Sequence, residues 1–551
     1  MASYTLGIDF GTLSARAIVV DAATGEVRGS ASMDYPHGVM DQRLPDGTPL
    51  KPDWALQHPG DWTECLSHVV PEAIGQAGVD PAEVTGLGID CTSCTVLPVD
   101  AGNVPLCLKP GFSSVPHAWP MLWKHHAAQP FATRMTDIAR ARGEAFLDRY
   151  GGRVSSEWLF PRLWQVLEEA PGVYAAARRF VDAGDWIVSR LTGALRPSAC
   201  IAGYKGFYHP LRGWPSRDYL RALDPRLENV AGEKLPDTVY PLGAKAGTLA
   251  SDAARALGLP EGVAVAVANI DAHAAVPGAG LDRPGDLLLI LGTSGCHMLL
   301  GDGESPVPGI CGAVMDGFIP GLCGFEAGQT CLGDHFSWAA ERIAPESVAR
   351  AARAHGTSVQ AELSTMAASL RPGESGLLAL DWWNGNRSVL VDAGLSGLIL
   401  GLTLATRPEE IFRALIEATA FGLRTIVENF ESHGQPVRHI AACGGIAVKN
   451  PLVMKIYSSV LNREIEVAAS DQASALGAAM FGAVAAGVHP DIRAAVRRMT
   501  RPGDTVFHPD TRDAETYDQL FAEYTQLHDY FGRGGSDVMH RLRALRDGCR
   551  T

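Results

Sequence analysis

Two segments of this chain, about 280 residues apart, share one layout, and that repetition narrows the possible folds more than any other feature. Thr5 to Phe10 alternates, with Leu6, Ile8 and Phe10 on one face and Gly7 and Asp9 on the other. Gly11-Thr12 then turns the chain into Ala17 to Val20, and Val27 to Met33 reads as a third strand. The chain therefore opens as a β-meander, which disfavours the βαβ start of a dinucleotide-binding domain. In the middle, Asp286 to Leu291 runs into Gly292-Thr293-Ser294-Gly295 and then His297 to Leu300, again strand, Gly-Thr turn and strand. One such turn is a weak signal, but two at equivalent places predict a duplicated domain whose halves face a shared cleft. With 551 residues, 46% of them apolar, the chain can build a core for each half.

The rest of the pattern is α/β. Helical spacing runs from Pro59 to Gly78, and Thr85 to Ile89 is a strand ending in Asp90-Cys-Thr-Ser-Cys94. Ala264 to Ile270 reads as one apolar strand ending at Asp271. Arg407 opens a long helix, His439 to Cys443 is a buried strand ending in Gly444-Gly445, and Asn450-Pro451 starts another helix. Tyr517, Leu520, Phe521, Tyr524, Leu527 and Tyr530 lie at helical spacing and predict one packed C-terminal helix.

The formal charge of −14 repels phosphate backbones, so nucleic acid is not an expected partner. No apolar run approaches the ~20 residues that span a bilayer, and the N-terminus lacks a basic region, so no membrane partner and a cytoplasmic location are expected. Eleven cysteines scattered through such a chain predict reduced thiols. Cys91 and Cys94 follow a strand directly rather than opening a helix, which favours small buried thiols over a redox pair.

Phosphoryl transfer needs backbone N–H groups around phosphate oxygens, a divalent ion and a base beside the acceptor hydroxyl. Gly11-Thr12 and Gly292-Thr293-Ser294 are turns where small residues let the backbone approach an anion. Asp9 stands at a strand end where its carboxylate could hold the water shell of Mg²⁺. Gly444-Gly445 before Asn450 offers a seat for a nucleotide. Asp271, after the apolar run from Ala264, is a candidate general base whose burial would raise its pKa. Lys205, between Gly203 and Gly206 and flanked by aromatic residues, needs a polar partner if buried. Strand-end acids are more often helix caps, and each Gly-Thr turn taken singly is more often a plain hairpin.

Taken in order, Asp9-Phe-Gly-Thr12, Asn269-Ile-Asp271-Ala-His273, Gly292-Thr-Ser-Gly295 and Gly444-Gly445 resemble the FGGY family of carbohydrate kinases. Trp158 to Trp164 and Gly397 to Glu417 are similar to that family's signatures. Tyr35 to Asp41, Trp54 to Trp62, Gly88 to Thr95, Leu122 to Ala128 and Leu380 to Arg387 are similar to stretches of the members that act on L-ribulose. Xylulose kinases typically carry Gln and His where Thr92 and Cys94 stand here. The resemblance implies two ribonuclease H-like domains of the actin/hexokinase fold flanking a central cleft for ATP and sugar, with Mg²⁺. Its domains would be residues 1–280 with the sugar and the base, 281–495 with the nucleotide, and a helical extension at 496–551. It implies Asp271 as catalytic base, Ser93, Lys205, Asp271 and Glu326 around the sugar, and Gly445 and Asn450 near adenosine. The expected reaction is transfer from ATP to the C5 hydroxyl of L-ribulose, with D-ribulose also a substrate, in L-arabinose breakdown. The alternatives are another pentulose or pentitol kinase and, in a different class, an actin- or chaperone-like ATPase; a homodimer is left open.

Overall fold

The computed structural model describes residues 3–549. Its first sheet is built from β1 (Tyr4–Phe10), β2 (Ser14–Asp21), β3 (Val27–Asp34), β4 (Val84–Cys91), β5 (Lys245–Thr248), β6 (Ala264–Ala266) and β7 (Asn269–Ile270), in the order β3-β2-β1-β4-β6-β5, with β7 also on β4. The second contains β8 (Asp286–Leu291), β9 (Gly295–Gly301), β10 (Gly312–Met315), β11 (Cys323–Gln329), β12 (His439–Cys443), β13 (Ile465–Val467) and β14 (Thr505–Phe507), in the order β10-β11-β9-β8-β12-β13-β14. In both sheets the first strand pairs antiparallel with the second and parallel with a crossover strand, β4 in one and β12 in the other. That shared arrangement is the duplication read from the two Gly-Thr turns.

Ten helices matter below: α1 (Pro59–Ala77), α2 (Ala199–Gly206), α3 (Asp271–Gly278), α4 (Pro408–Ser432), α5 (Gly445–Lys449), α6 (Pro451–Leu461), α7 (Ala473–Ala485), α8 (Ile492–Met499), α9 (Thr511–Gly532) and α10 (Val538–Gly548). β1 and β4 carry the same tetrapeptide, Leu-Gly-Ile-Asp, at 6–9 and 87–90, and pair with these residues in register. The two glycines leave a bare stripe on which the Ala-rich α7 lies flush. A β-carbon on Gly7 would fall 1.8 Å from the Ala475 carbonyl oxygen, and one on Gly88 1.8 Å from that of Ala478. Only glycine admits a backbone so close. The same helix meets α3, where a β-carbon on Gly278 would fall 1.9 Å from the Ala473 oxygen. The chain thus returns from the second sheet to close the first, and His489 bonds the Ala22 carbonyl 467 residues away.

Three details differ from the sequence reading. The apolar run from Ala264 is two short strands, because the chain leaves β4 after pairing Leu87 with Val265 and rejoins it where Asp90 meets Asn269. The position 495/496 falls inside α8. The C-terminal segment contains two helices, and on α9 the buried stripe is Tyr517, Phe521, Tyr524 and His528, while Tyr530 is 53% exposed. Two residues on from His528, a 100° step per residue carries Tyr530 to the far side of the helix.

Candidate active site

The C-terminal ends of the central strands of the first sheet carry the acids. Asp9 ends β1, Asp90 lies beside it on β4, and Asp271 follows β7, which pairs with β4 at Asp90. Because β1, β4 and β7 run parallel, equivalent positions put three carboxyl groups on one edge. Burial lifts Asp9, opposed by its neighbours Asp90 and Arg16. Asp90 is driven well above the carboxylate range, first by burial and then by the negative charges of Asp9 and Asp271. Apart from the Asp9 carboxyl, its oxygens have no hydrogen-bond partner among the described residues. Asp271 opens α3, accepts the Ala272 N–H at 2.6 Å, and is pushed up to about 7 by burial and by Asp9. A group poised near neutral pH at the end of a buried strand suits proton transfer.

Beside the acids lies an ionic network that joins the two halves. Lys205 on α2 reaches Glu326 on β11 at 3.2 Å, and their side chains are 6% and 5% exposed. His273 on α3 approaches the same Glu326 oxygen at 3.3 Å, and Arg387 donates to the other at 2.8 Å. Burial opposes the Glu326 charge, but Lys205, His273 and Arg387 outweigh it and hold its carboxyl well below the usual range. Burial also opposes the Lys205 ammonium, and Glu326 overcomes it and raises the pKa. His273 is pushed down to about 4 by burial, so it is neutral, with Nδ1 3.1 Å from the Cys200 sulfur and Nε2 toward Glu326. Tyr204, next to Lys205, donates to the Gly324 carbonyl at 2.6 Å and stacks on Phe318, pinning α2 to the second half.

The structure thus brings together Asp9, Asp271, Lys205 and Glu326, four residues singled out from the sequence. Ser93 lies next to them: its hydroxyl is 3.2 Å from the Cys94 sulfur, and Cys94 feels the charge of Lys205. A buried arginine holds this loop. Arg162 donates to the carbonyls of Cys94, Met121, Leu122 and His125, tying residues 93–94 to the segment at 121–125. Cys91 and Cys94 are buried free thiols, both raised by burial. Trp382 packs on His528 and Trp383 on His335 and Trp338, so the tryptophan pair serves packing.

The small-residue turns divide between the halves. The Gly11 N–H bonds the Ser14 carbonyl at 2.9 Å, Tyr35 donates to the Gly11 carbonyl, and Gln57 and Trp123 donate to Thr12, so this turn is braced from three sides. In the second half, Gly292 bonds Ser294, and Leu332 and Gly333 donate to the carbonyls of Thr293 and Gly292. Gly444 adopts φ +93° beside Leu291, and a β-carbon on it would fall 2.6 Å from the Leu291 oxygen. Gly445 is exposed, with open space where a β-carbon would stand. Asn450 caps α6 by accepting the Val453 N–H and donates to Ser364, so its side chain already has a structural task.

Sequence reasoning passed over Asp90 and Arg387 as site residues. The first was detectable, since Leu-Gly-Ile-Asp occurs twice; the second sits in an irregular loop, where no periodicity reports what a side chain meets.

Comparison with known proteins agrees with this geometry. Residues 4–278 match the N-terminal domain, and residues 287–486 the C-terminal domain, of the FGGY family of carbohydrate kinases. A ribulokinase from Geobacillus thermodenitrificans is 52% identical over 553 aligned positions, covering 100% of this chain and 98% of the relative. A ribulokinase from Mycolicibacterium smegmatis is 46% identical, covering 99% and 97%. Among solved structures, xylulose kinase from Rhodospirillum rubrum superposes with a TM-score of 0.79 at 25% identity, covering 95% of this chain and 98% of that one. Gluconate kinase from Lactobacillus acidophilus gives 0.81 at 18% identity, covering 97% and 99%, a likeness of fold. With both family domains matched in order across the chain, and with a strand-end acid beside an ionic network that joins the two halves, this protein belongs to the FGGY family of carbohydrate kinases.

Proposed function

We propose that this chain is a ribulokinase, transferring the γ-phosphoryl group of ATP to the C5 hydroxyl of L-ribulose, with D-ribulose a further substrate, in cytoplasmic L-arabinose breakdown. The observation that carries the proposal is Asp271, a half-buried carboxyl raised to about 7, next to the Lys205–Glu326 pair. The names of the relatives at 46% to 52% identity support the choice of sugar.

In this reading Lys205 donates to, and Glu326 accepts from, hydroxyls of the open-chain sugar, which brings its terminal hydroxyl to Asp271. Asp271 takes that proton as the oxygen attacks phosphorus. At the Gly11-Thr12 and Gly292-Thr293-Ser294 turns, where the two glycine N–H groups are used within the turn, the N–H groups and hydroxyls of Thr12, Thr293 and Ser294 bind phosphate oxygens, and the face at Gly444-Gly445 receives the nucleoside. Asp9, with Asp90 beside it on β4, offers the carboxylate oxygens that a hard cation prefers. Mg²⁺ would be held there chiefly by Asp9 and would neutralise charge on the phosphates.

A coupled assay of ADP release across pentuloses and pentitols tests the reading: L-ribulose is expected to give the highest kcat/KM, and a preference for xylulose or a pentitol would replace it. ADP release at full rate without any sugar would instead favour a partner-driven ATPase.

Two substitutions separate the subsites. Lys205→Ala is expected to lower kcat/KM for L-ribulose by about 10- to 150-fold, the worth of one charge-assisted hydrogen bond, with KM for ATP little changed. Gly445→Val meets open space in the protein itself, so the fold should be kept, and a raised KM for ATP with unchanged sugar affinity by calorimetry is the expected result. If the valine weakens sugar instead, the nucleotide lies elsewhere.

A further inference from the structure

The stretch from Leu380 to Arg387 delivers a third charged group to the network around Glu326. Arg387 donates from Nη2 to Glu326 Oε1 at 2.8 Å; its Nε lies 3.1 Å from the Cys311 sulfur and its Nη1 4.0 Å from that of Cys296. Glu326 is its single carboxylate partner among the ion pairs of the described residues. Lys205 and Glu326 are nearly sealed, at 6% and 5% exposure, whereas the Arg387 side chain is 31% exposed. Arg387 is thus the most exposed charged member of the network. It lies along the backbone of Gly328, where a β-carbon would come within 3.3 Å of Nη1.

The loop that carries it is held in several ways. Asn386 and Asp392 exchange backbone bonds, Ser388 accepts the Gly328 N–H, and Thr330 donates to the Gly385 carbonyl. From the C-terminal segment, His540 reaches Asp392 at 3.0 Å, Arg543 donates to the Ala393 carbonyl, and Tyr524 donates to Asp381. With Nη2 on a carboxylate and Nε and Nη1 on thiol sulfurs, which are weak acceptors, the planar fork keeps one further N–H on each Nη atom and is preorganised to donate to vicinal oxygens.

We propose that Arg387 is a further sugar-binding residue, donating the remaining N–H of each Nη atom to oxygens of the bound ketose while its Glu326 contact fixes the carboxylate that accepts from the same sugar. The proposal rests on the sugar-site reading of Glu326 given above, and its test separates the two.

Steady-state kinetics on the full-length enzyme would compare Arg387→Met, Arg387→Lys and Glu326→Gln, varying L-ribulose and ATP in turn, with methylguanidinium added to Arg387→Met. Arg387→Met is expected to raise KM for L-ribulose by about 10- to 150-fold, with KM for ATP changed by less than about 3-fold. Methylguanidinium should recover part of the loss. A sugar KM within about 2-fold of wild type, or equal losses for sugar and ATP without rescue, overturns the proposal. If Glu326→Gln leaves the sugar KM unchanged while Arg387→Met raises it, Arg387 stands and the reading of Glu326 falls. Should the methionine variant fail to fold, Arg387→Lys keeps the charge but loses the fork: a raised KM for L-ribulose alone supports the proposal, and an unchanged one overturns it.

Discussion

Replacing Asp271 by asparagine is expected to lower kcat by about 10²- to 10⁴-fold while the protein stays folded and still binds ATP and sugar. Asparagine keeps the shape and can still accept the Ala272 N–H through its amide oxygen, but it cannot take a proton. Burial and the neighbouring Asp9 raise the Asp271 pKa to about 7, so the base is mostly protonated below that pH and mostly available above it. Wild-type kcat/KM should therefore fall as pH drops through about 7, and the variant should lose that limb of the profile. Stability gives an independent check. A carboxyl whose folded pKa is raised contributes most to stability at low pH, where it is neutral in both states, and that contribution is lost as pH rises through the folded value. The asparagine variant carries no such charge, so its Tm relative to wild type should rise from pH 5 to pH 8. Unchanged turnover, or a collapse of Tm at both pH values, would remove Asp271 from its role.

Gly88→Val should be strongly destabilising. Its β-carbon would stand 1.8 Å from the Ala478 carbonyl oxygen and 2.7 Å from the carbonyl carbon, and neither is a side-chain end that can swing away. Either α7 lifts off the sheet or β4 shifts, and a β4 shift moves Asp90 as well. The expected cost is about 3 kcal/mol or more, at the upper end for overpacking because backbone must move. The checks are thermal unfolding and soluble yield, with Gly445→Val as the control that meets no neighbour. A Gly88→Val protein with wild-type Tm would mean that α7 does not lie on this sheet.

Much of the site was legible because it obeys period 2 and short turns. Asp9 and Asp271 are strand-end residues, and alternation together with the Gly-Thr turns points to them without long-range information. Lys205 was legible for another reason: a cation among glycines and aromatic rings has to find an acceptor. That Glu326, 121 residues away in the other half, shares its pocket came from the family resemblance, and that it is the acceptor of Lys205 came from the structure. Arg387 and Arg162 were not legible, since one stands in an irregular loop and the other spends its charge on four carbonyls contributed by distant segments. The split strand before Asp271 and the exposed Tyr530 show the same limit, because pairing partners and helix phase are set by tertiary contacts.

The return of α7 to the first sheet has a consequence for synthesis on the ribosome. β1 to β7 are complete by residue 270, but the helix that covers their glycine stripe is not made until residue 485. At roughly 5 to 20 residues per second, the nascent first half waits on the order of ten to forty seconds with a strip of bare sheet facing solvent. During that interval the chain offers chaperones and neighbouring nascent chains the surface that α7 will occupy, so production of active enzyme should depend on translation speed across the second half.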